Sequence, residues 1–351
     1  MKTTIIRILI VFLAITLLTG CSKAGTSQNP PTNTGAFAKG ADISWLPQME
    51  ATGYKFYNSN GVEEDCMKIL KDLGINSIRL RTFVNPSDDK ASGHCSKDET
   101  VAMAVRAKNM GMRVMIDFHY SDSWADPGKQ KKPAAWEGHD FPTLLNDLYA
   151  YTFDVMTALK TVGITPEWVQ VGNEIPGGMI YPEGSTDNWP QLVQLINKGY
   201  DAIKAVSPES KVILHVDQGN NNDRFRWWFD AAKANGAKYD VIGLSYYPYW
   251  LEGNPDYTLS INDLAANLKD MASRYGKEVM VVEVGGEDNK VQNTYDMLVA
   301  VQQKVKEVPE GKGLGVFYWE PEGARSWSHY ALSAWGVDGK PTKALDAFLE
   351  E

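Results

Sequence analysis

The sequence predicts an α/β fold, a (β/α)8 (TIM) barrel that forms a single domain. The first observation is that short β-branched or apolar runs recur eight times along the chain. The second is that a stretch with helical periodicity separates most successive runs, and such alternation indicates a parallel sheet. The eight runs cover residues 39–44, 77–81, 113–120, 168–174, 212–218, 241–247, 279–285 and 315–321.

A closed barrel is favoured over an open, doubly wound sheet. The first run lacks the Gly-rich phosphate loop that usually follows the first strand of a dinucleotide-binding sheet. Nearly every run also becomes polar at its carboxyl end, where the residues are Asp42, Arg79, Arg81, Asp117, His119, Asn173, Glu174, His215, Asp217, Tyr246, Tyr247, Glu283, Trp319 and Glu320. In a barrel these ends meet at one face, which is the face that carries active sites.

Helical patterns connect the runs. Residues 62–73 place five apolar side chains on one face, and Gly74 ends the pattern. A similar pattern over residues 100–110 also ends at a glycine. Further helices are predicted over residues 149–162, 192–206, 226–234, 259–275, 291–305 and 342–351.

The amino-terminal residues are predicted to lie outside the folded domain. Residues 1–20 have a positive start and an apolar run that is too short to span a bilayer, as in a secretory signal. Leu18-Thr19-Gly20-Cys21 matches a bacterial lipobox, which predicts an exported lipoprotein at the outer membrane or cell surface, acylated at Cys21. An ordinary signal peptide with a chance cysteine is the alternative. Residues 21–36 are a polar tether, and residues 37–351 form the domain.

Composition excludes several classes of partner. The net charge of −9 and the absence of a Lys/Arg block argue against nucleic acid and against electrostatic binding to membranes. Cys66 and Cys95 lie in no CxxC or Cys/His cluster, which argues against a metal site, but whether they form a disulfide stays open. Several of the eleven Trp and sixteen Tyr residues fall in predicted loops, where aromatic faces can stack on sugar rings. A monomer is expected, although the sequence does not determine the oligomeric state.

Two glutamates are the strongest candidates for chemistry. Glu174 ends the fourth run and Glu283 lies in the seventh, and both follow apolar residues. A carboxylate is costly to bury unless it is paired or functional. Each could form a buried ion pair with Arg79 or Arg81, but the two together at strand ends favour a catalytic pair.

Five segments resemble glycoside hydrolase family 53, the endo-β-1,4-galactanases of the retaining (β/α)8 clan. The twelve residues after the third run, 117–128, are the most specific segment, whereas Asn173-Glu174 alone would be a weak match. The five segments are Gly40-Ala41-Asp42-Ile43-Ser44, Ile78-Arg79-Leu80-Arg81, Asp117-Phe118-His119-Tyr120-Ser121-Asp122-Ser123-Trp124-Ala125-Asp126-Pro127-Gly128, Gln170-Val171-Gly172-Asn173-Glu174 and Gly315-Val316-Phe317-Tyr318-Trp319-Glu320-Pro321. They span essentially the whole predicted domain.

The resemblance implies a role for each matching position. Glu174 would be the general acid/base and Glu283 the nucleophile of a double displacement that cleaves β-1,4-galactan or type I arabinogalactan. Arg79 would keep Glu283 ionised, and Tyr247 would orient this nucleophile. Asn173 would bind the 2-hydroxyl of the sugar, and Trp319 would form the floor of the subsite that holds the attacked sugar. The other implied or candidate substrate contacts are Asp42, Arg81, His119, Asp122, Trp124, His215 and Asp217. Structural roles stay open for His119, for His215 and for the aspartates. Trp124, Trp136 and Trp250 could either stack on sugars or pin their loops.

The sequence departs from the family pattern in two loops. Many bacterial members carry long loops after strands seven and eight with calcium between them. Here residues 285–290 lead quickly into a helix, and Glu287-Asp288-Asn289 lacks spaced ligands. We therefore predict no cofactor and no calcium, and the distal subsites are uncertain.

Three other functions compete with this interpretation. Within the clan, the alternative is an endo-β-1,4-glycanase that acts on mannan, xylan or glucan. A non-catalytic glycan-binding lipoprotein is disfavoured because both glutamates are present. A metal-dependent barrel hydrolase is disfavoured because the first run has no histidine and the whole chain has only five.

Overall fold

The computed structural model describes residues 35–351, which form a closed barrel of eight parallel strands in sequential order. The strands are β1 (Ala38–Asp42), β2 (Ser77–Thr82), β3 (Arg113–Phe118), β4 (Trp168–Val171), β5 (Lys211–Val216), β6 (Val241–Tyr246), β7 (Glu278–Val284) and β8 (Gly313–Trp319). β1 pairs with β8, which closes the sheet and leaves no edge strand. The predicted (β/α)8 fold is confirmed.

The helices that follow the strands have the bounds α1 (Leu46–Ala51), α2 (Cys66–Asp72), α3 (Lys97–Asn109), α4 (Phe141–Thr161), α5 (Trp189–Val206), α6 (Asn222–Ala234), α7 (Ile261–Tyr275), α8 (Val291–Lys306) and α9 (Arg325–Ser328). Side-chain caps explain where two of them depart from the predicted bounds. α2 begins four residues later than predicted because Asp65 accepts a hydrogen bond from the Lys68 amide. α4 begins eight residues earlier because Asp140 caps the Thr143 amide.

The last predicted helix is wrong in type. Residues 342–351 were expected to be α-helical, but they contain the 3-10 segment Lys343–Phe348. Its apolar side chains still pack against α8, so the periodicity marked a buried face and not an α-helix.

Two apolar clusters separate the inside of the barrel from the layer beneath the helices. The inner cluster draws on every strand except β2 and consists of Ala38, Met115, Trp168, Ile213, Val241, Met280, Val282 and Phe317. Gly40 is needed beside it, since a Cβ there would lie 2.2 Å from the Phe317 ring. The much larger outer cluster joins the strands to the helices. The barrel interior is thus packed, and only its carboxyl-end mouth is open to ligands.

The predicted signal, the lipobox cysteine and nearly all of the tether lie outside the described residues. Within residues 35–351, no helix is both long and apolar enough to cross a membrane. Cys66 and Cys95 are buried free thiols, which resolves the open question of their pairing.

Candidate active site

A cavity of about 410 Å³ opens at the carboxyl ends of the strands. It brings together eight of the predicted site residues, which are His119, Trp124, Asn173, Glu174, Asp217, Tyr247, Glu283 and Trp319. They come from six different strands, β3 to β8, or the loops that follow them. A volume of this size suits a small number of sugar rings.

Left-handed backbone conformations turn the chain at four strand exits. Tyr120, Glu174, Gln218 and Glu320 have φ values of +49°, +42°, +55° and +48°, and they follow β3, β4, β5 and β8 by one to three residues. Residues other than glycine rarely adopt this backbone conformation, and holding one in it costs roughly 1 kcal/mol or more. Such strain gathers at functional sites, and here one of the four residues is a candidate catalytic acid.

Glu283 is held by a cation and a phenol. One of its carboxylate oxygens lies 2.9 Å from the Arg79 guanidinium, and the other accepts a hydrogen bond from the Tyr247 hydroxyl at 3.1 Å. Burial raises the pKa of Glu283, while Arg79 and the Tyr247 hydrogen bond oppose that rise. These partners favour the ionised form, as a nucleophile requires.

Among residues 35–351, no lysine or arginine forms an ion pair with the Glu174 carboxyl group. It is partly exposed to the cavity and accepts a hydrogen bond from the Ser245 hydroxyl at 2.6 Å. Burial first, and then the nearby charge of Glu283, raise the pKa of Glu174 well above its ordinary value. The environment therefore favours the protonated form of Glu174 when Glu283 is charged.

Arg79 organises the base of the cavity. Its guanidinium donates to the carboxylates of Asp42 at 2.7 Å and Asp117 at 2.9 Å, and to the side-chain oxygen of Asn173 at 2.9 Å. Asp42 also accepts from Ser44 and has no exposed surface. Asp42 and Arg79 do not line the cavity. Asp42 has the structural role that the sequence left open, and Arg79 lies beneath the sugar site as the cation that contacts Glu283.

His215 is buried next to Asn173 and Glu174. Its Nδ1 lies near two donors, the Gln170 amide nitrogen at 3.1 Å and the Glu174 backbone N–H at 3.4 Å, and near one acceptor, the Asn173 side-chain oxygen at 3.0 Å. Its Nε2 lies 2.7 Å from the Ser245 hydroxyl, which itself donates its proton to Glu174. Because that hydroxyl must then accept from His215, the imidazole proton is assigned to Nε2. Burial and Arg79 lower the pKa of His215, which keeps it neutral. His215 does not line the cavity and has the structural role that the sequence left open, since the ring supports Ser245, the partner of Glu174.

Arg81 lies behind an aromatic wall of the cavity and not in it. Its guanidinium stacks 4.1 Å from the Trp124 ring centroid and 5.9 Å from those of Trp45 and Trp319. It also pairs with the buried Glu320, whose carboxylate accepts from the Trp45 backbone N–H. Arg81 therefore does not contact the substrate directly, because its guanidinium pairs with Glu320 and stacks against the tryptophan rings.

Loop contacts favour one of the two alternatives for two further residues. Asp122 accepts the backbone N–H groups of Asn85 and Ala134, at 3.0 and 2.9 Å, so it ties two loops together and does not line the cavity. Trp136 is buried and pins its own loop. Trp250, by contrast, lines the cavity and is 65% exposed, which leaves its face free for a sugar.

The orientation of the remaining polar residues is fixed by the protein. His119 lies 3.0 Å from Asp117 and accepts the Ala125 backbone N–H through Nδ1. The Asn173 side-chain nitrogen donates to the Ala125 carbonyl at 2.9 Å. Because Arg79 donates to its oxygen, the amide of Asn173 has one defined orientation toward the cavity.

Some cavity residues were absent from the predicted set. Ser245 lies two residues before Tyr247, so strand alternation could have placed it on the same face. Tyr330, Gln218 and Asn220 lie in loops, and no periodic pattern marks them.

The acids after β7 do not form a cation site. Asp288 makes a two-pronged ion pair with Arg325, with both contacts at 2.7 Å, and Glu287 pairs with Lys290 at 2.5 Å. No group of three or more metal-binding side chains occurs within residues 35–351. The residues present thus do not fit the calcium site of the long-loop relatives.

Comparison with known proteins gives a consistent family. The model of glycosyl hydrolase family 53 matches residues 38–348. The chain is 37% identical to a probable arabinogalactan endo-β-1,4-galactanase A of Aspergillus terreus, over 81% of this chain and 85% of the relative. It is 36% identical to an endo-β-1,4-galactanase of Bacillus subtilis, over 81% of this chain and 70% of the relative.

A solved structure agrees. The structure of a fungal β-1,4-galactanase superposes with a TM-score of 0.81 and 31% identity, over 90% of this chain and all of that chain. The family model covers the barrel and every residue of the cavity, and the chain belongs to glycosyl hydrolase family 53.

Proposed function

We propose that this protein is a retaining endo-β-1,4-galactanase that cleaves galactan and type I arabinogalactan. The observation that carries the mechanism is the unequal setting of two carboxyl groups in one cavity. Glu283 has a guanidinium and a phenol as partners, whereas Glu174 has a hydroxyl and no cation. Two carboxyl groups whose surroundings push their pKa values apart are the arrangement that acid and nucleophile roles require.

The proposed reaction proceeds in two displacements. Glu283 attacks the anomeric carbon while Glu174 donates its proton to the departing glycosidic oxygen, so the bond to the leaving chain breaks as the glycosyl–enzyme ester forms. Glu174, now ionised, then takes a proton from water, whose oxygen attacks the anomeric carbon and releases Glu283. Retaining enzymes place such groups about 5–5.5 Å apart. Asn173 is suited to bind the 2-hydroxyl, and Trp319 to stack beneath the attacked sugar.

Galactan is the proposed substrate because relatives that match most of this chain are named galactanases. The Aspergillus and Humicola insolens relatives are named arabinogalactan endo-β-1,4-galactanases, and the Bacillus relative an endo-β-1,4-galactanase. The two carboxyl groups supply all the proton transfers, so we propose that no metal or cofactor takes part and that a chelator leaves the activity unchanged. A monomer suffices because one chain supplies every residue of the cavity.

Substitution of the two glutamates tests the mechanism. Purified enzyme is incubated with pectic galactan, mannan, xylan and β-glucan, and products are measured by reducing ends and chromatography. We expect short oligosaccharides from galactan alone and none from Glu283→Gln. Glu174→Gln should lower kcat by about 10²–10⁴-fold, the usual contribution of a general acid, and should remove the alkaline limb of the pH profile.

The control is Glu209→Gln, a substitution of an exposed acid far from the cavity, which should leave the rate unchanged. Full activity of Glu283→Gln would remove the proposed nucleophile. Cleavage of mannan or xylan in preference to galactan would assign the enzyme to another substrate of the clan.

We also propose export as a lipoprotein anchored through Cys21. The supporting feature is the lipobox Leu18-Thr19-Gly20-Cys21 behind an apolar run. Radiolabelled palmitate should enter the wild-type protein in a bacterial host and should not enter Cys21→Ser. Equal labelling of both proteins would contradict the anchor.

A further inference from the structure

We propose that Trp227 forms a second sugar-binding site, outside the catalytic cavity, for the part of the galactan chain on the leaving-group side. The proposal rests on the galactanase function argued above. It extends the binding surface along the outside of the loops after β4 and β5 to the start of α6.

Trp227 has an unusual exposure for its size. It lies on α6 and is 53% exposed, whereas the adjacent Trp228 is completely buried. Successive helix residues point about 100° apart, so only one of the two can face the core. About half of the Trp227 side chain is covered by protein, and the exposed half lies beside a cleft, where an apolar face is available to a ligand.

The ring of Trp227 borders an open cleft of about 740 Å³. Besides the indole, the cleft is bordered by Pro127, Thr186, Asn221 and Arg224. It thus offers an apolar platform next to hydroxyl, amide and guanidinium groups. A pyranose ring has the matching chemistry, with a C–H face that can stack on an indole and hydroxyl groups around its edge.

Trp227 is held in a fixed position relative to the catalytic acid. Its ring packs edge-on against Trp189 at 5.9 Å, and Trp189 packs against Trp228 at 5.4 Å. The Trp228 indole donates a hydrogen bond of 2.8 Å to the carbonyl of Ile175, the residue that follows Glu174. The platform and the loop of the catalytic acid are therefore parts of one rigid unit.

The cleft adjoins the catalytic cavity. Pro127 borders both spaces. Arg224, which lines the cleft, lies 3.3 Å from Asp217, which lines the cavity. A polysaccharide chain that leaves the cavity on this side reaches the Trp227 cleft past Pro127 and the Arg224–Asp217 pair.

The position of Trp227 indicates which part of the substrate it binds. The attacked sugar is expected over Trp319 on β8, beside Trp45 from the loop after β1. Trp227 lies after β5, which is opposite β1 in an eight-stranded barrel. Because Glu174 on the β4 side protonates the departing oxygen, the leaving chain extends toward β5, and thus toward Trp227.

Comparison of a long and a short substrate tests the proposal. The long substrate is pectic galactan, and the short one is an aryl β-1,4-galactotrioside, whose leaving group is only the aryl ring. We expect Trp227→Ala to lower kcat/KM on galactan by about fivefold, the effect of losing one aromatic stacking contact, with unchanged kcat/KM on the aryl substrate. Trp227→Phe, which keeps a ring, should retain most of the galactan activity.

Binding is measured separately from catalysis. In the Glu283→Gln background, Trp227→Ala should weaken retardation by galactan in affinity electrophoresis, again by about fivefold in Kd. The matched control is Phe153→Ala, which removes another exposed aromatic side chain, on α4 and away from both spaces. It should change neither rate nor binding.

Three results would overturn the Trp227 site. They are an unchanged rate and Kd on galactan, an equal loss on both substrates, and an equal effect of Phe153→Ala. Each of them leaves the galactanase function intact so long as the wild type cleaves galactan. A wild-type enzyme that does not cleave galactan would instead refute the proposed function, and the Trp227 proposal with it.

Discussion

Two pairs of buried carboxyl groups lie at the mouth of this barrel, and they have opposite uses. Glu174 and Glu283 face the open cavity, whereas Glu320 and Glu322 lie behind Trp319 and have no exposed surface. β2 supplies one arginine to each pair, Arg79 to Glu283 and Arg81 to Glu320. In all four glutamates burial raises the pKa above its ordinary value.

The difference between the pairs is access and not electrostatics. Within residues 35–351 no N–H or hydroxyl group donates to the Glu322 carboxyl group. Its pKa is raised by burial, by the charge of Glu320 and by a hydrogen bond between the two carboxyl groups. No substrate can reach it. A shifted pKa alone does not identify a catalytic residue, because structural ion pairs shift pKa values too. Here the cavity separates the reacting pair from a pair that supports the aromatic wall.

Substitution of each arginine by lysine should give the largest difference in activity between the two pairs. Arg79→Lys retains the charge but cannot bridge Asp42, Asp117 and Asn173 at once, so Glu283 loses its fixed position. We expect kcat on galactan to fall by about 10²-fold or more, comparable with the loss of a preorganised electrostatic contact. The acidic limb of the pH profile should move to higher pH. The lysine charge is no longer held against the Glu283 carboxylate, so it opposes the raised pKa of Glu283 less.

Arg81→Lys is the matched control from the same strand. It loses the stacking on Trp124 at 4.1 Å and leaves Glu283 untouched, so KM should rise severalfold while the acidic limb stays in place. Steady-state kinetics between pH 4 and 9, with circular dichroism to check folding, measure both variants. A similar loss of kcat in both would remove the proposed distinction between the pairs.

Glu322→Gln should have a smaller effect, on stability. An acid with a raised pKa in the folded state binds more protons than the unfolded chain, so its contribution to stability falls as pH rises above 4.5. Glutamine cannot ionise. We therefore expect a Tm gain of about 2–4 °C at pH 7, which corresponds to roughly 1 kcal/mol, and no gain at pH 4.

Differential scanning calorimetry across this pH range measures the effect, with the exposed Glu209→Gln as control. Activity on galactan should stay at the wild-type level. A variant that loses activity as Glu283→Gln is expected to do would contradict a purely supporting role for Glu322.

Strand periodicity and strand-end polarity were sufficient to predict the barrel and the meeting of Glu174 with Glu283 at one cavity. The sequence could not distinguish side chains that line the cavity from those one layer deeper. Asp42 ends β1, whereas Arg79 and His215 lie within β2 and β5, and ion pairs and hydrogen bonds from other strands bury all three. Such partners depend on barrel closure, which turns side chains from β1 to β5 toward one interior.

Loop residues show the second limit. Asp122 belongs to the most specific matching segment, yet it binds two backbone amides. Tyr330 lines the cavity from a segment with no periodic pattern. The placement of both follows from the path of a loop, which short-range patterns of apolar and polar residues do not encode.

The left-handed residues at the strand exits have a consequence for recombining members of this family. Tyr120, Glu174, Gln218 and Glu320 set the direction in which each loop departs from the barrel. A chimaera joined after one of these residues would separate a loop from the residue that sets its direction. Junctions should therefore lie before these four positions, so that each transplanted loop brings its own steering residue, and β-branched residues should be kept out of them.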